Sequence, residues 1–145
     1  MRGAILAARL LLSVTALGLG LLAPLADLSA SHAFNNAWPP HARLHSVWLV
    51  GVLAGIALAM LVLIWAGPRS QSRLRLGLAL ALGWIALVPF GLAALAMPLY
   101  GGALHGRHGG IEILGLDSNL VGFVAGTAML IVSGVLIARS QRRRS

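Results

Sequence analysis

Residues 47–66 read VWLVGVLAGIALAMLVLIWA, twenty positions without a charged side chain. A bilayer's hydrocarbon core is about 30 Å thick, and a helix of about 20 residues crosses it. In lipid only helices and closed barrels satisfy their own backbone polar groups. This run lacks the period-two alternation of a barrel strand, so it reads as a transmembrane helix.

Three more runs follow the same rule: 10–26 (extendable back to residue 4 across Arg9), 76–97 and 120–138. The expected fold class is all-α: an integral membrane four-helix bundle with antiparallel, up-and-down topology. Residues 1–145 form one domain, with helices over about 4–26, 44–66, 74–98 and 118–138 and a basic tail over 139–145. Composition agrees. The chain is 59% hydrophobic and 10% charged, too few polar groups to cover a soluble domain of its size. The first run competes with a signal-peptide reading, because Arg2 precedes it and Ser31-His32-Ala33 could be cleaved. The run is long for a signal sequence and Asp27 intervenes, so a retained helix is expected.

All eleven basic side chains are arginine, and the net charge is +8. Nine lie on one side of the runs: Arg2, Arg9, Arg69, Arg73, Arg75, Arg139, Arg142, Arg143 and Arg144. The other side holds Arg43 and Arg107 with all three acids, Asp27, Glu112 and Asp117. The positive-inside rule then places both termini in the cytoplasm. The charge is topological, and nucleic acid is not an expected partner. Arg142, Arg143 and Arg144 should meet anionic lipid at the cytoplasmic face. The short 67–75 connection makes the second and third runs a hairpin, stopped by Pro68, with its arginines anchored at lipid phosphates.

Small residues recur at spacing four: Gly51, Gly55 and Ala59 on the second run, Gly122 and Gly126 on the fourth. Such rows let helix backbones approach in lipid. Packing within the bundle is the expected use, ahead of dimerisation. Pro89 should kink the third helix. No ionisable residue lies near the middle of any run, which disfavours ion-coupled transport. With no cysteine, thiolate metal sites, disulfides and thiol-based quinone chemistry are excluded.

All five histidines fall on the side of the acids: His32, His41, His45, His105 and His108. Pro39 and Pro40 favour a helix start, which puts His41, His45, Trp48 and Val52 on one face. Two histidines one turn apart can chelate one ion. His105 and His108 form a second pair in a glycine-rich loop. The expected site is one divalent transition-metal centre from His41, His45, His105 and His108, with the cofactor's identity open. Against it stands the plain reading of interfacial polar residues. Trp38 suits the interfacial belt and Arg43 a lipid phosphate; Asp117 should cap the fourth helix.

The stretch His32-Ala-Phe-Asn-Asn-Ala-Trp-Pro-Pro-His-Ala-Arg-Leu-His45 resembles the first outer loop of a group of small four-helix bacterial membrane proteins. Their pattern is His-x-Phe-Asn, then Trp-Pro-x-His-Ala-Arg-x-His; Asn36 and Leu44 depart from the residues usual there. The overall plan is also similar to the DoxX-like membrane proteins. The resemblance implies a class and no reaction. Three functions are therefore carried forward. The first is a structural or accessory membrane protein without catalysis, working with a membrane-protein partner or as a homo-oligomer. The second is an extracytoplasmic metal- or haem-binding protein. The third is a small lipid- or quinone-modifying enzyme with His41 or His45 as base.

Overall fold

In the computed structural model, residues 2–68, 71–104 and 112–142 are described. They form an all-α bundle. Helix α1 (Arg2–Leu17) runs through a π-helical segment (Gly18–Leu22) into α2 (Ala23–Asp27), and α3 spans Pro40–Trp65. Helix α4 (Ser72–Leu95) is followed by the single turn α5 (Met97–Tyr100), and α6 spans Ser118–Arg142. Four of these segments are long and apolar enough to cross a membrane: Gly3–Asp27, Pro40–Trp65, Ser72–Leu95 and Ser118–Ser140.

The π segment has a local cause. Pro24 has no N–H to give the Gly20 carbonyl, and its ring would crowd that carbonyl in a regular α-helix. The chain widens by one residue instead, and Ala23 N–H bonds to Gly18. Pro89, by contrast, lies inside the unbroken α4.

The four long segments close a ring. The first packs on α3 and α6, and α4 packs on α3 and α6. Contacts run in opposite order along α4 and α6: Gly83 lies against Leu130 and Gly91 against Phe123. Ala8, Leu12, Ala16, Met60, Ile64, Leu76, Ala79 and Leu130 form the core. The outward surface is also apolar, with Leu58, Leu74, Ile85, Leu92 and Val124 exposed. Lipid is the solvent that suits such a surface.

The glycine rows divide, and here the sequence reading needs correction. Gly126 is buried, and a Cβ there would sit 2.9 Å from Leu87. Gly51, Gly55, Ala59 and Gly122 are exposed, and a Cβ on any of these glycines would meet nothing within 4 Å. They are not packing positions within this bundle. Among the described helical glycines the tightest contact with another helix is instead at Gly20, where a Cβ would lie 2.6 Å from the Ala57 Cβ.

At the end opposite the histidines, arginines close helix termini. Arg75 Nη2 donates to the Leu63 carbonyl at 2.7 Å and Nη1 to the Pro68 carbonyl at 3.4 Å. The last carbonyls of a helix lack intrahelical partners, and a cation there also suits the helix dipole. Gly67, with φ of 96°, turns the chain out of α3. Arg73 Nη2 reaches the Ser140 carbonyl at 3.5 Å. Arg75→Ala is expected to destabilise the protein by about 1–2 kcal/mol, because the Leu63 carbonyl loses a charged donor. Arg75→Lys should recover little of this, since one ammonium cannot span both carbonyls. Thermal melts of the three proteins in detergent check this.

The described residues also include a two-residue hairpin. Glu112–Ile113 (β1) pairs antiparallel with Leu116–Asp117 (β2). Leu114 and Gly115, both at positive φ, make the turn. Asp117 then caps α6 as expected, its carboxylate accepting from Asn119 N–H at 2.8 Å.

Candidate functional site

Pro39 and Pro40 open α3, and Pro at the first helical position costs no hydrogen bond. The helix therefore begins before His41, and both His41 and His45 stand on its first turns. Their side chains are exposed, and His41 Nε2 and His45 Nε2 face each other at 3.0 Å. The rings meet edge to face with centroids 4.5 Å apart. Trp48 follows on the same face, 5.9 Å from the His45 ring.

Without an ion, the two nitrogens share one hydrogen, one ring donating to the other. With an ion present, both lone pairs would turn to it. Zinc–imidazole bonds are about 2.0–2.1 Å, so nitrogens 3.0 Å apart subtend about 95° at a shared ion. That is an adjacent pair in a tetrahedral or octahedral shell.

Sequence reasoning missed what holds this turn in place. Arg43 is half-buried on the side of α3 away from the histidines. Its Nε donates to the Trp38 carbonyl at 3.1 Å and its Nη2 to the Asn36 carbonyl at 3.3 Å. The guanidinium thus clips the start of α3 to the preceding loop. That loop is folded on itself: Ala37 N–H bonds to Asn35 Oδ1, an Asx turn, and Ala33 is buried. His32 packs edge-on to Trp38 and bonds to Ser31 Oγ at 2.9 Å. It belongs to the loop, away from the His41–His45 pair. The sequence signal for the clip is an arginine five residues after the last loop tryptophan, too generic to be read unaided.

His105 and His108 lie outside the described residues, as do Arg143 and Arg144; Arg142 ends α6. Among the described residues no three of His, Asp, Glu or Cys are placed to hold one ion. Between α4 and α6 a groove of about 460 Å³ is lined by Val88, Gly91, Leu95, Leu104, Leu120 and Phe123 among others, all apolar. These side chains offer no proton donor or acceptor to a substrate.

Compared with known protein families, characterised proteins and solved structures, the chain finds no match.

Proposed function

We propose that this chain is a multi-pass protein of the bacterial inner membrane, with both termini cytoplasmic, acting as a structural or accessory scaffold without catalysis of its own. The observation that carries the reading is the apolar bundle itself: Leu, Ile, Met and Ala fill its centre and large apolar side chains cover its outside. The buried row Ala8, Leu12, Ala16 and Leu19 supports a retained first helix, since cleavage would strip one wall from the core. Alkaline carbonate extraction is the first test. The protein should stay with the membrane pellet, and release into the supernatant would overturn the reading. Purified protein should also lack visible absorption; a Soret band would replace the scaffold with a haem protein.

A second reading is carried by the 3.0 Å approach of His41 and His45. The scaffold presents these imidazoles outside the membrane as ligands for a divalent transition ion such as Zn²⁺ or Cu²⁺. Imidazole binds metal when neutral, so binding should be present at about pH 7.5 and lost by about pH 5.5. His41→Ala with His45→Ala should abolish binding, and His32→Ala should leave it. Calorimetry showing no binding by the parent protein would remove this reading and leave the scaffold.

A further inference from the structure

We propose that Arg9, held at the face of Trp65, binds the phosphate of an anionic phospholipid in the leaflet at the arginine-rich end of the bundle. The proposal rests on the membrane reading above, which carbonate extraction tests separately.

A guanidinium carries five N–H donors in a flat fork and keeps its charge. Among the described side chains Arg9, Arg43, Arg73 and Arg75 are half-buried. The last three donate to main-chain carbonyls: Arg43 to Trp38 and Asn36, Arg73 to Ser140, Arg75 to Leu63 and Pro68. Arg9 differs. Of its nitrogens only Nε is enclosed, and that atom has no acceptor among the described residues. What Arg9 has is an aromatic ring: its Cζ lies 5.6 Å from the Trp65 ring centroid, within cation–π range. Trp65 Nε1 donates to Ser13 Oγ at 2.9 Å, and Ser13 stands one turn along α1 from Arg9. The indole is thereby fixed, with its N–H on Ser13 and its face toward the guanidinium. A ring face attracts the charge but is a weak acceptor for N–H groups. The donors of Arg9 remain to be met.

No carboxylate side chain at this end can meet them, because the segments flanking the spans there hold nine arginines and no acid. Depth names the alternative. Arg9 and Asp27 belong to one continuous helical span, eighteen residues and so about 27 Å apart. The hydrocarbon core is about 30 Å thick, so Asp27 at one boundary puts Arg9 at the other, beside the lipid phosphates. Trp65, the last residue of α3, is half exposed at the same level, where tryptophan suits the interface. A phosphodiester offers what Arg9 lacks: anionic oxygens that accept two parallel N–H bonds. A headgroup without its own ammonium brings no further cation to an end that already carries Arg9, Arg73 and Arg75. An anionic phospholipid therefore fits better than a zwitterionic one.

The test uses the full chain in a neutral detergent, with retained lipid counted by native mass spectrometry and stability followed by thermal melts. Dioleoyl phosphatidylglycerol is titrated in, with dioleoyl phosphatidylcholine and inorganic phosphate as comparison arms. The expected result is one phosphatidylglycerol held tightly per chain and a raised melting temperature, with neither comparison matching it. Arg9→Gln should weaken retention about tenfold or more, the worth of one hydrogen bond to a charged group. Trp65→Leu changes a half-exposed ring and should fold, yet also weaken retention, so it decides the question even if Arg9→Gln proves unstable. Changing Arg142, Arg143 and Arg144 together to glutamine should leave the tightly held lipid in place. Loss in that tail variant with full retention in Arg9→Gln would move the site to the tail and overturn the proposal. Equal retention of phosphatidylcholine would overturn the anionic headgroup. Displacement of the lipid by inorganic phosphate would overturn the lipid source and make this a free-anion site. No phospholipid retained by the parent protein would leave Arg9 to water and end the proposal.

Discussion

Gly20→Leu is expected to be the most damaging single substitution in the bundle, lowering stability by about 3 kcal/mol, the upper end of ordinary overpacking. A Cβ at this position would stand 2.6 Å from the Ala57 Cβ, with the Ala54 Cα at 4.0 Å. Neither neighbour is the movable end of a long side chain, so the helices themselves must separate. Ala57 is buried in α3, and the separation loosens the core cluster that it shares with Ala16, Leu19 and Met60. In a chain of this size such a loss corresponds to a fall in melting temperature of about 10 °C. Gly126→Leu should cost less, because the atom in its way is the Cδ1 end of Leu87, which can rotate. Gly55→Leu should leave the melting point of the isolated bundle unchanged. Melts of the three variants in a monomeric detergent rank them. If Gly20→Leu melts like the parent, the first span does not cross α3 where the π segment places it.

That ranking also marks how far the sequence could be read. Four spans were legible, because length and lack of charge alone imply helices in lipid. Which side of each helix points inward was not. In a soluble helix a polar stripe marks the outside, but residues 47–65 of α3 are apolar all round. Spacing four therefore described Gly51/Gly55 and Gly122/Gly126 identically, although Gly126 packs on Leu87 and Gly55 on nothing. Gly20 escaped notice because its partner is an alanine on another helix and because Pro24 shifts the register locally. The hairpin at Leu114-Gly115 escaped because the turn places leucine, at φ of 54°, where asparagine is the usual signal. At the site, the facing of His41 and His45 follows directly from their spacing on a helix started by Pro40. The Arg43 clip does not, since it depends on how residues 28–39 fold back.

Orientation gives the second large effect, because a reporter fusion reads it as all or none. A phosphatase active only outside the cytoplasm should be inactive when fused after Ser145 and active when inserted at Gly102. Nine arginines flank the spans on one side and two on the other. Positive charge in short flanking segments sets the direction of insertion. The folded arrangement adds a reason for these arginines to stay at one level. Arg75 is bonded to the Leu63 carbonyl and Arg73 to the Ser140 carbonyl, while the Arg9 guanidinium lies 5.6 Å from the Trp65 ring centroid. Three guanidinium groups are thus tied to one end of the bundle, near the C-terminal ends of α3 and α6 and the start of α4. Replacing Arg69, Arg73 and Arg75 together with glutamine removes three of the nine charges and two of these ties. It should yield a mixed population, with measurable phosphatase activity at both fusion points. An active Ser145 fusion with an inactive Gly102 fusion in the parent chain would invert the topology and place the His41–His45 pair in the cytoplasm. Its ions would then come from the intracellular pool, and the carboxyl-terminal arginines would face the outer leaflet.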